Sequence, residues 1–66
     1  MKYKLLGMIM YNNDTSENLV KYLNISSSSF YNKLNGRNSF TQKEIRMIKE
    51  RYKLNAEQID DIFFTD

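Results

Sequence analysis

The sequence predicts an all-α protein, a compact bundle of five short helices that forms a single domain over residues 1–66. Pro is absent and Gly occurs only at positions 7 and 36, so the turns of an all-β domain lack their usual residues. Apolar residues also recur at helical spacing along the whole chain. A chain of 66 residues is too short for a second domain.

The helices are expected at about residues 3–12, 15–23, 27–35, 42–53 and 56–64. The apolar residues that mark their inner faces are Leu5, Ile9, Leu19, Leu23, Phe30, Leu34, Ile45, Ile48, Tyr52, Ile59, Ile62 and Phe63. Each helix is too short to be stable alone in water, so the five must pack around one core. The four methionines are interpreted as adaptable core filler around the first and fourth helices.

Residues that favour helix ends occur at the starts of the predicted helices. The expected N-caps are Asp14, Ser26, Thr41 and Asn55. Three caps have capping-box spacing, in the pairs Asp14–Glu17, Thr41–Glu44 and Asn55–Gln58. Three starts have the spacing of a hydrophobic staple, in the pairs Ile25–Phe30, Phe40–Ile45 and Leu54–Ile59. Gly36 is expected to end the third helix in the left-handed conformation.

The composition disfavours most classes of enzyme. The chain has neither Cys nor His, so it lacks the side chains most used for nucleophilic attack, proton transfer and metal binding. Glu57, Asp60 and Asp61 have the spacing of one helix face that suits a hard cation, but such acids are more often solvated surface. We therefore expect no enzyme activity, no catalytic residue, and no metal, cofactor or small-molecule ligand.

No segment of the sequence predicts insertion into a membrane. The longest near-apolar run, residues 5–11, is far shorter than the roughly 20 residues of a membrane span. No cleavable signal pattern follows this run. We expect a soluble cytoplasmic protein with no membrane partner.

Charge is distributed unevenly along the chain. Residues 18–53 carry eight bases and two acids, whereas residues 54–66 carry four acids and no base. A basic centre attracts polyanions, and an acidic tail is expected to face away from them. A basic surface that contacts only solvent would have the same distribution of charge along the chain. Charge alone therefore does not decide between a surface that binds polyanions and a solvated one.

The second and third helices have the layout of a helix-turn-helix. Asn24 tolerates the left-handed backbone that the turn needs, Ile25 fills the wedge between the helices and Ser26 caps the third helix. Steps of about 100° per residue then define the face opposite Phe30 and Leu34. That face holds Ser28, Ser29, Tyr31, Asn32 and Asn35.

Every side chain on this face is a neutral hydrogen-bonding group. A solvated helix face more often carries Glu and Lys. Hydroxyl and amide groups suit a surface that loses water against base edges and phosphates, and an Asn amide can pair bidentately with adenine. The Ser run at 26–29 also suits a flexible linker, but the staple of Ile25 and Phe30 argues against a linker.

Residues in this region also follow a pattern that reads roughly T-Q-x-x-L-A-x-x-L-G-[IV]-S-x-x-[ST]-[IVF], then N-G. The residues in register are Thr15, Leu19, Leu23, Ile25, Ser26, Ser29, Phe30, Asn35 and Gly36. The chain thereby resembles the lambda-repressor-like helix-turn-helix family of small phage and bacterial regulators, the Cro and repressor type. The segments FTQKEIRMI and LNAEQIDDIFF are similar to the rest of a prophage-encoded subset, so the resemblance covers nearly the whole chain.

The chain departs from the family pattern at three positions. Ser16 stands where the family has a Gln that caps the second helix and touches phosphate, so that contact is shorter or absent here. Val20 replaces Ala and adds bulk toward the third helix, which implies a slightly larger distance between the helices. Asn24 replaces Gly in the turn, where both residues tolerate the left-handed conformation.

The resemblance implies a sequence-specific regulator that binds double-stranded DNA with the third helix, residues 27–35, in the major groove. It implies base contacts from Ser27, Ser28 and Asn32, and phosphate contacts from Arg37 and Asn38. Lys33 is expected to pack its stem on the side of the helix and to reach the DNA backbone with its ammonium. The full predicted set of DNA-binding residues is Ser16, Ser27, Ser28, Ser29, Tyr31, Asn32, Lys33, Arg37 and Asn38.

One helix-turn-helix makes few contacts, so a homodimer on paired half-sites is expected, at least when the protein is bound to DNA. Phe64 points away from the other apolar residues of the fifth helix and is a candidate dimer contact; packing back against the first helix is the alternative. The alternative function is a protein-binding module, such as an antitoxin or anti-repressor. Such a module would use the same fold and mask a partner with its acidic tail or its third helix.

Overall fold

The computed structural model describes residues 1–64, and these form helices joined by short turns, with no strand. The helices are α1 (Lys2–Tyr11), α2 (Ser16–Leu23), α3 (Ser27–Leu34), α4 (Gln42–Tyr52) and α5 (Ala56–Ile59), which continues as a π-helix over Asp60–Phe64. No helix in this part of the chain is long and apolar enough to cross a membrane. The all-α prediction is confirmed, and α1 to α4 begin and end within one residue of the expected bounds. The predicted domain also includes residues 65 and 66, which lie outside the described residues.

One hydrophobic core lies between the helices. Its largest fully buried side chains come from four different helices and are Leu5, Leu19, Phe30 and Ile48. Phe40 links two parts of the core, because its ring lies edge-on to Phe30 at 6.1 Å and to Phe63 at 5.7 Å between centroids. The predicted inner faces are confirmed, because every other apolar residue predicted to face the core is either buried or packs half-buried against it. Val20, Phe40 and Leu54 are also buried in the core.

Three of the predicted N-caps are confirmed. Ser26, Thr41 and Asn55 each accept a hydrogen bond on the side-chain oxygen from the backbone N–H three residues later. At Thr41 and Asn55 the reciprocal bond of a capping box is also present. The turns before α3, α4 and α5 are therefore closed by side chains that lie next to them in sequence.

The start of α2 differs from the prediction. Thr15, and not Asp14, caps this helix, since its Oγ1 accepts a hydrogen bond from the Asn18 N–H at 3.1 Å. Asp14 instead accepts from Arg51 Nε at 2.8 Å and from the Tyr52 hydroxyl at 2.6 Å. The capping box predicted for this helix is wrong, because Thr15 is the cap and the Asp14 carboxylate forms charge-assisted bonds with α4.

The fifth helix is not uniform. The sequence predicts one α-helix over 56–64, but the i→i+4 pattern ends at Ile59 and a π-helix follows. Within that wider turn Ile62 is 2% exposed and Phe64 is 67% exposed. Phe64 therefore does not pack back against α1, which was one of its two expected positions.

Four residues of α1 form a surface that we call the outer face: Tyr3, Gly7, Met10 and Tyr11. They lie outward because Leu5 and Ile9 turn the opposite side of the helix into the core. The core-filler interpretation is consequently wrong for Met10, which is 75% exposed. The other three methionines pack against the core as expected.

Candidate nucleic-acid interface

A short turn over residues 24–26 joins α2 to α3. Asn24 has φ 59° and ψ 45°, the left-handed conformation expected for this position. Its N–H donates to the Lys21 carbonyl at 3.1 Å, and the Ile25 N–H donates to the Val20 carbonyl at 3.4 Å. These two bonds form a Schellman motif, and α2 and α3 contact each other beyond it. The backbone of the turn thereby sets the direction in which α3 leaves α2.

The C-terminal end of α3 is closed in the same way. Gly36 has φ 84°, as expected, and its N–H donates to the Lys33 carbonyl at 3.2 Å. The N–H groups of Arg37 and Asn38 both donate to the Asn32 carbonyl, at 2.9 and 3.3 Å. The two residues expected to contact phosphate are thus fixed to the last turn of α3.

Most of the predicted DNA-binding side chains reach the surface. Ser27, Ser28, Tyr31, Arg37 and Asn38 are exposed, and Ser16, Ser29 and Asn32 are half-buried. The exposed part of α3 is formed by hydroxyl and amide groups with one aromatic ring, since Tyr31 is 48% exposed. The structure therefore brings eight of the predicted residues to the outside of α2, α3 and the turn that follows α3.

Asn32 is less exposed than its position on a helical wheel indicates. The Arg37 side chain folds back over it, and Nη1 of Arg37 donates to Oδ1 of Asn32 at 3.3 Å. This contact was not predicted, because the wheel treats α3 alone and omits the chain that returns along it. Asn32, predicted to contact a base, and Arg37, predicted to contact phosphate, are therefore bonded to each other.

Lys33 is nearly buried in an ion pair and does not extend onto this surface. Its Nζ donates at 2.6 Å to both carboxylate oxygens of Glu44, and the two side chains are only 12% and 10% exposed. Burial raises the pKa of Glu44, but the Lys33 ammonium and the Thr41 N–H outweigh it, so the pKa lies below its ordinary value. The ammonium is held by this nearby carboxylate on α4 and does not extend toward a ligand on the outside of α3.

The uneven charge of the sequence persists on the surface. Of the eight bases in residues 18–53, Lys33 and Arg51 are held in ion pairs with Glu44 and Asp14. The remaining six are exposed and form no ion pair with any described residue: Lys21, Arg37, Lys43, Arg46, Lys49 and Lys53. The basic centre therefore presents six uncompensated cations to solvent.

Lys21 is an exposed cation near the turn that was not among the predicted DNA-binding residues. It lies in the last turn of α2, and its carbonyl accepts one of the bonds that close the turn before α3. Glu17 precedes it by four residues, the spacing of a helical ion pair, yet the structure forms no such pair among residues 1–64. The spacing of Glu17 and Lys21 in the sequence therefore could not show that Lys21 forms no ion pair with a described residue.

Glu57, Asp60 and Asp61 do not come together as a group of metal ligands in the described part of the chain. Asp61 accepts a hydrogen bond from Lys4 Nζ at 2.8 Å on Oδ1, which ties the π-helix to α1. Within the described part of the chain, no three His, Cys, Asp or Glu side chains could together hold a metal ion.

No protein-family model, curated protein or solved structure matches this chain.

Proposed function

We propose that this protein is a sequence-specific, double-stranded DNA-binding transcriptional regulator of the phage or prophage Cro and repressor type, with α3 in the major groove. One observation carries the proposal. The outward side of α3 presents neutral hydrogen-bonding groups, and cations without acidic partners precede and follow this helix, Lys21 in the last turn of α2 and Arg37 after Gly36. Neutral groups lose little when they give up water to base edges, and free cations attract the phosphates alongside.

Base contacts are assigned to the side chains of α3. Ser27 and Ser28 are exposed in its first turn, where hydroxyl groups suit either donors or acceptors on base edges. Asn32 lies one turn further on and can pair with the N6 and N7 atoms of one adenine. Its oxygen has two lone pairs, so the bond from Arg37 leaves one of them for the base.

Phosphate contacts are assigned to Arg37, Asn38 and Lys21. The first two are positioned by backbone bonds to the last turn of α3, so their side chains move with the recognition helix. Lys21 is exposed near the opposite end of α3, beside the turn that precedes it. Cations at both ends of a helix in the groove fix its register, while the side chains between them specify the sequence.

The protein is proposed to act as a homodimer on DNA. The described chain measures 27 × 24 × 20 Å, which is shorter than the roughly 34 Å between major-groove half-sites on one face of the duplex. A single copy therefore reaches one half-site only. Two copies double the contacts and require a site with two-fold symmetry.

The test is selection from random duplexes, followed by titration of the enriched duplex and a scrambled one over a range of salt concentrations. We expect an enriched sequence with two related half-sites, and a steep fall of affinity with salt for both duplexes. Arg37→Ala is expected to lower the salt slope by about one. The absence of any enriched sequence, together with a flat salt dependence, would refute the proposal.

A protein-binding module is the second candidate function, and exposed Tyr31 favours it. Tyr is enriched at protein interfaces, and this ring is 48% exposed on the same face of α3. The exposed acids Glu57 and Asp60 offer a separate surface for a basic partner. The same titration separates the two functions, because a module that binds only protein has no phosphate contacts to lose with salt.

A further inference from the structure

The outer face of α1 holds three of the six exposed large hydrophobic side chains of the described chain. Tyr3 is 81% exposed, Tyr11 is 84% exposed and Met10 is 75% exposed. The spacing of positions 3, 7, 10 and 11 places them along one side of the helix, with no charged residue among them. Tyr and Met are enriched in the centres of protein interfaces, whereas charged residues are depleted there.

Gly7 lies at the middle of this face and has no packing role within the chain. A Cβ atom built on it would meet no atom within 4 Å beyond the neighbouring backbone of its own helix, so the fold does not require a residue without a side chain. Its conformation is helical, so no left-handed backbone requires Gly. Gly is a poor helix former, and its presence in an exposed helix interior lacks an explanation from the single copy.

We propose that the outer face of α1 binds the same face of a second copy of this chain, with the two helices antiparallel and a two-fold axis at Gly7. Tyr3 and Tyr11 each lie four residues from Gly7, so the symmetry places Tyr3 of one copy against Tyr11 of the other. Met10 of one copy then lies over the Lys4 stem of the other. At the axis, the missing Cβ atoms allow the two backbones to approach closely.

Charge favours the antiparallel arrangement. The first turn of α1 contains no acid and its last turn contains no base, so the cations Lys2 and Lys4 lie at the wrong end for the helix dipole. Asp61 compensates Lys4, whereas the Lys2 ammonium lies over the Tyr3 ring at 5.8 Å, at the edge of the outer face. An antiparallel partner brings its negative C-terminal end to Lys2, whereas a parallel one would place the two lysine pairs together.

The area is adequate for a reversible dimer. At about 200 Å² for a tyrosine side chain, the two exposed tyrosines present roughly 330 Å² per copy. The area that two such faces can bury, with Met10 and the aliphatic part of Lys4 included, comes close to the smallest area of a specific interface, about 1,000 Å² in total. The dimer is therefore concentration-dependent in solution. This inference does not depend on DNA binding.

The test is sedimentation equilibrium of the full chain without DNA, over a wide range of concentration. We expect a monomer–dimer equilibrium whose Kd rises at least about tenfold, or about 1.4 kcal/mol, in both Gly7→Ala and Tyr11→Ser. Gly7→Ala discriminates most sharply, because Ala favours helix and has room in the monomer. It should raise the thermal midpoint of the dilute monomer while weakening the dimer. Far-ultraviolet circular dichroism checks that both variants stay folded.

Phe64→Ser is the matched control, since Phe64 is an exposed aromatic residue outside α1. It should leave the dimer Kd unchanged. The proposal is overturned if the parent remains monomeric at every concentration, if the α1 variants dimerise as the parent does, or if Phe64→Ser dissociates the dimer instead. A monomer that sediments with anionic phosphatidylglycerol vesicles would also overturn it and assign the outer face to lipid. A dimer that binds no DNA would refute only the proposed function.

Discussion

Nη1 of Arg37 donates a hydrogen bond to Oδ1 of Asn32 at 3.3 Å, and the Arg37 N–H donates to the Asn32 carbonyl at 2.9 Å. The residue proposed to contact phosphate therefore orients the residue proposed to contact a base. Because the two side chains share a bond, their effects on DNA binding should not be independent.

Asn32→Ala should weaken binding to the selected duplex by roughly 1 to 3 kcal/mol and remove the preference at one position in each half-site. Binding to scrambled DNA should be retained, because no phosphate contact is lost. Stability should change by only about 0.5 kcal/mol, since the side chain is half-buried and its bond with Arg37 is exposed to solvent. Affinity for all single-base variants of the selected duplex measures the effect. Unchanged binding to the selected duplex would show that this side of α3 does not contact DNA.

Arg37→Ala should weaken binding to every duplex and lower the slope of log affinity against log salt by about one. It should also reduce the base preference at the position assigned to Asn32, because the amide loses the guanidinium that holds it. A double-mutant cycle over the two residues should give a coupling of at least about 0.5 kcal/mol on the selected duplex. Additive losses would show that the bond has no role in the complex.

Lys33→Met should destabilise the fold by about 3 to 5 kcal/mol, because it leaves the buried Glu44 carboxylate without its cation. Chemical denaturation measures the loss, and Lys33→Met combined with Glu44→Gln should recover part of it by removing the unpaired charge. Lys49→Met, at an exposed base without an ion pair, is the matched control and should lie within about 0.5 kcal/mol of the parent. Equal stability of Lys33→Met and Lys49→Met would contradict a structural role for the Lys33–Glu44 pair.

Thr41→Ala should lower the free energy of unfolding by about 1 kcal/mol. The substitution removes the Oγ1 atom that accepts from the Glu44 N–H at 3.1 Å, and with it one half of a capping box. Ser39→Ala, two residues earlier in an exposed position, should have little effect. A thermal midpoint that does not change in Thr41→Ala would indicate that α4 begins elsewhere.

Stability should depend on pH through Asp14. The bidentate bonds from Arg51 hold the pKa of Asp14 well below its usual range, against the opposing effect of burial, and the Tyr52 hydroxyl lowers it further. A carboxyl whose pKa is lowered by folding stabilises the native state fully above its unfolded pKa, about 3.9, and loses that contribution as pH falls toward its folded pKa. Asp14→Asn should therefore be less stable than the parent at pH 7, with a difference that narrows below about pH 4. Denaturation of the parent and of Asp14→Asn at a series of pH values from 7 downward measures this difference in stability. A difference that stays constant with pH would show that the ionised carboxylate is not the source.

The sequence alone determined the helices, their inner faces and most of their ends, except the cap of α2 and the π-helix that follows α5. These features depend on groups within about four residues of one another: a cap with its N–H, a staple across one turn, and the apolar repeat. Ser26, Thr41 and Asn24 acted as predicted for this reason, since each satisfies backbone groups of its own helix end. The side of α3 that carries hydroxyl and amide groups was predictable on the same basis.

Only the tertiary structure decided which charged and polar groups meet. Lys33 and Glu44 are 11 positions apart, and Arg51 and Asp14 are 37 apart, so no local pattern could pair them. Helix packing brought an acid to Lys33 and removed it from the candidate interface, while Lys21 was left free although an acid lies at helical spacing. Packing of the helices also determined which side of α1 faces solvent, and Met10 lies on that side. An unpaired charge and a paired one have the same local sequence pattern, because the energy that separates them comes from a partner on another helix.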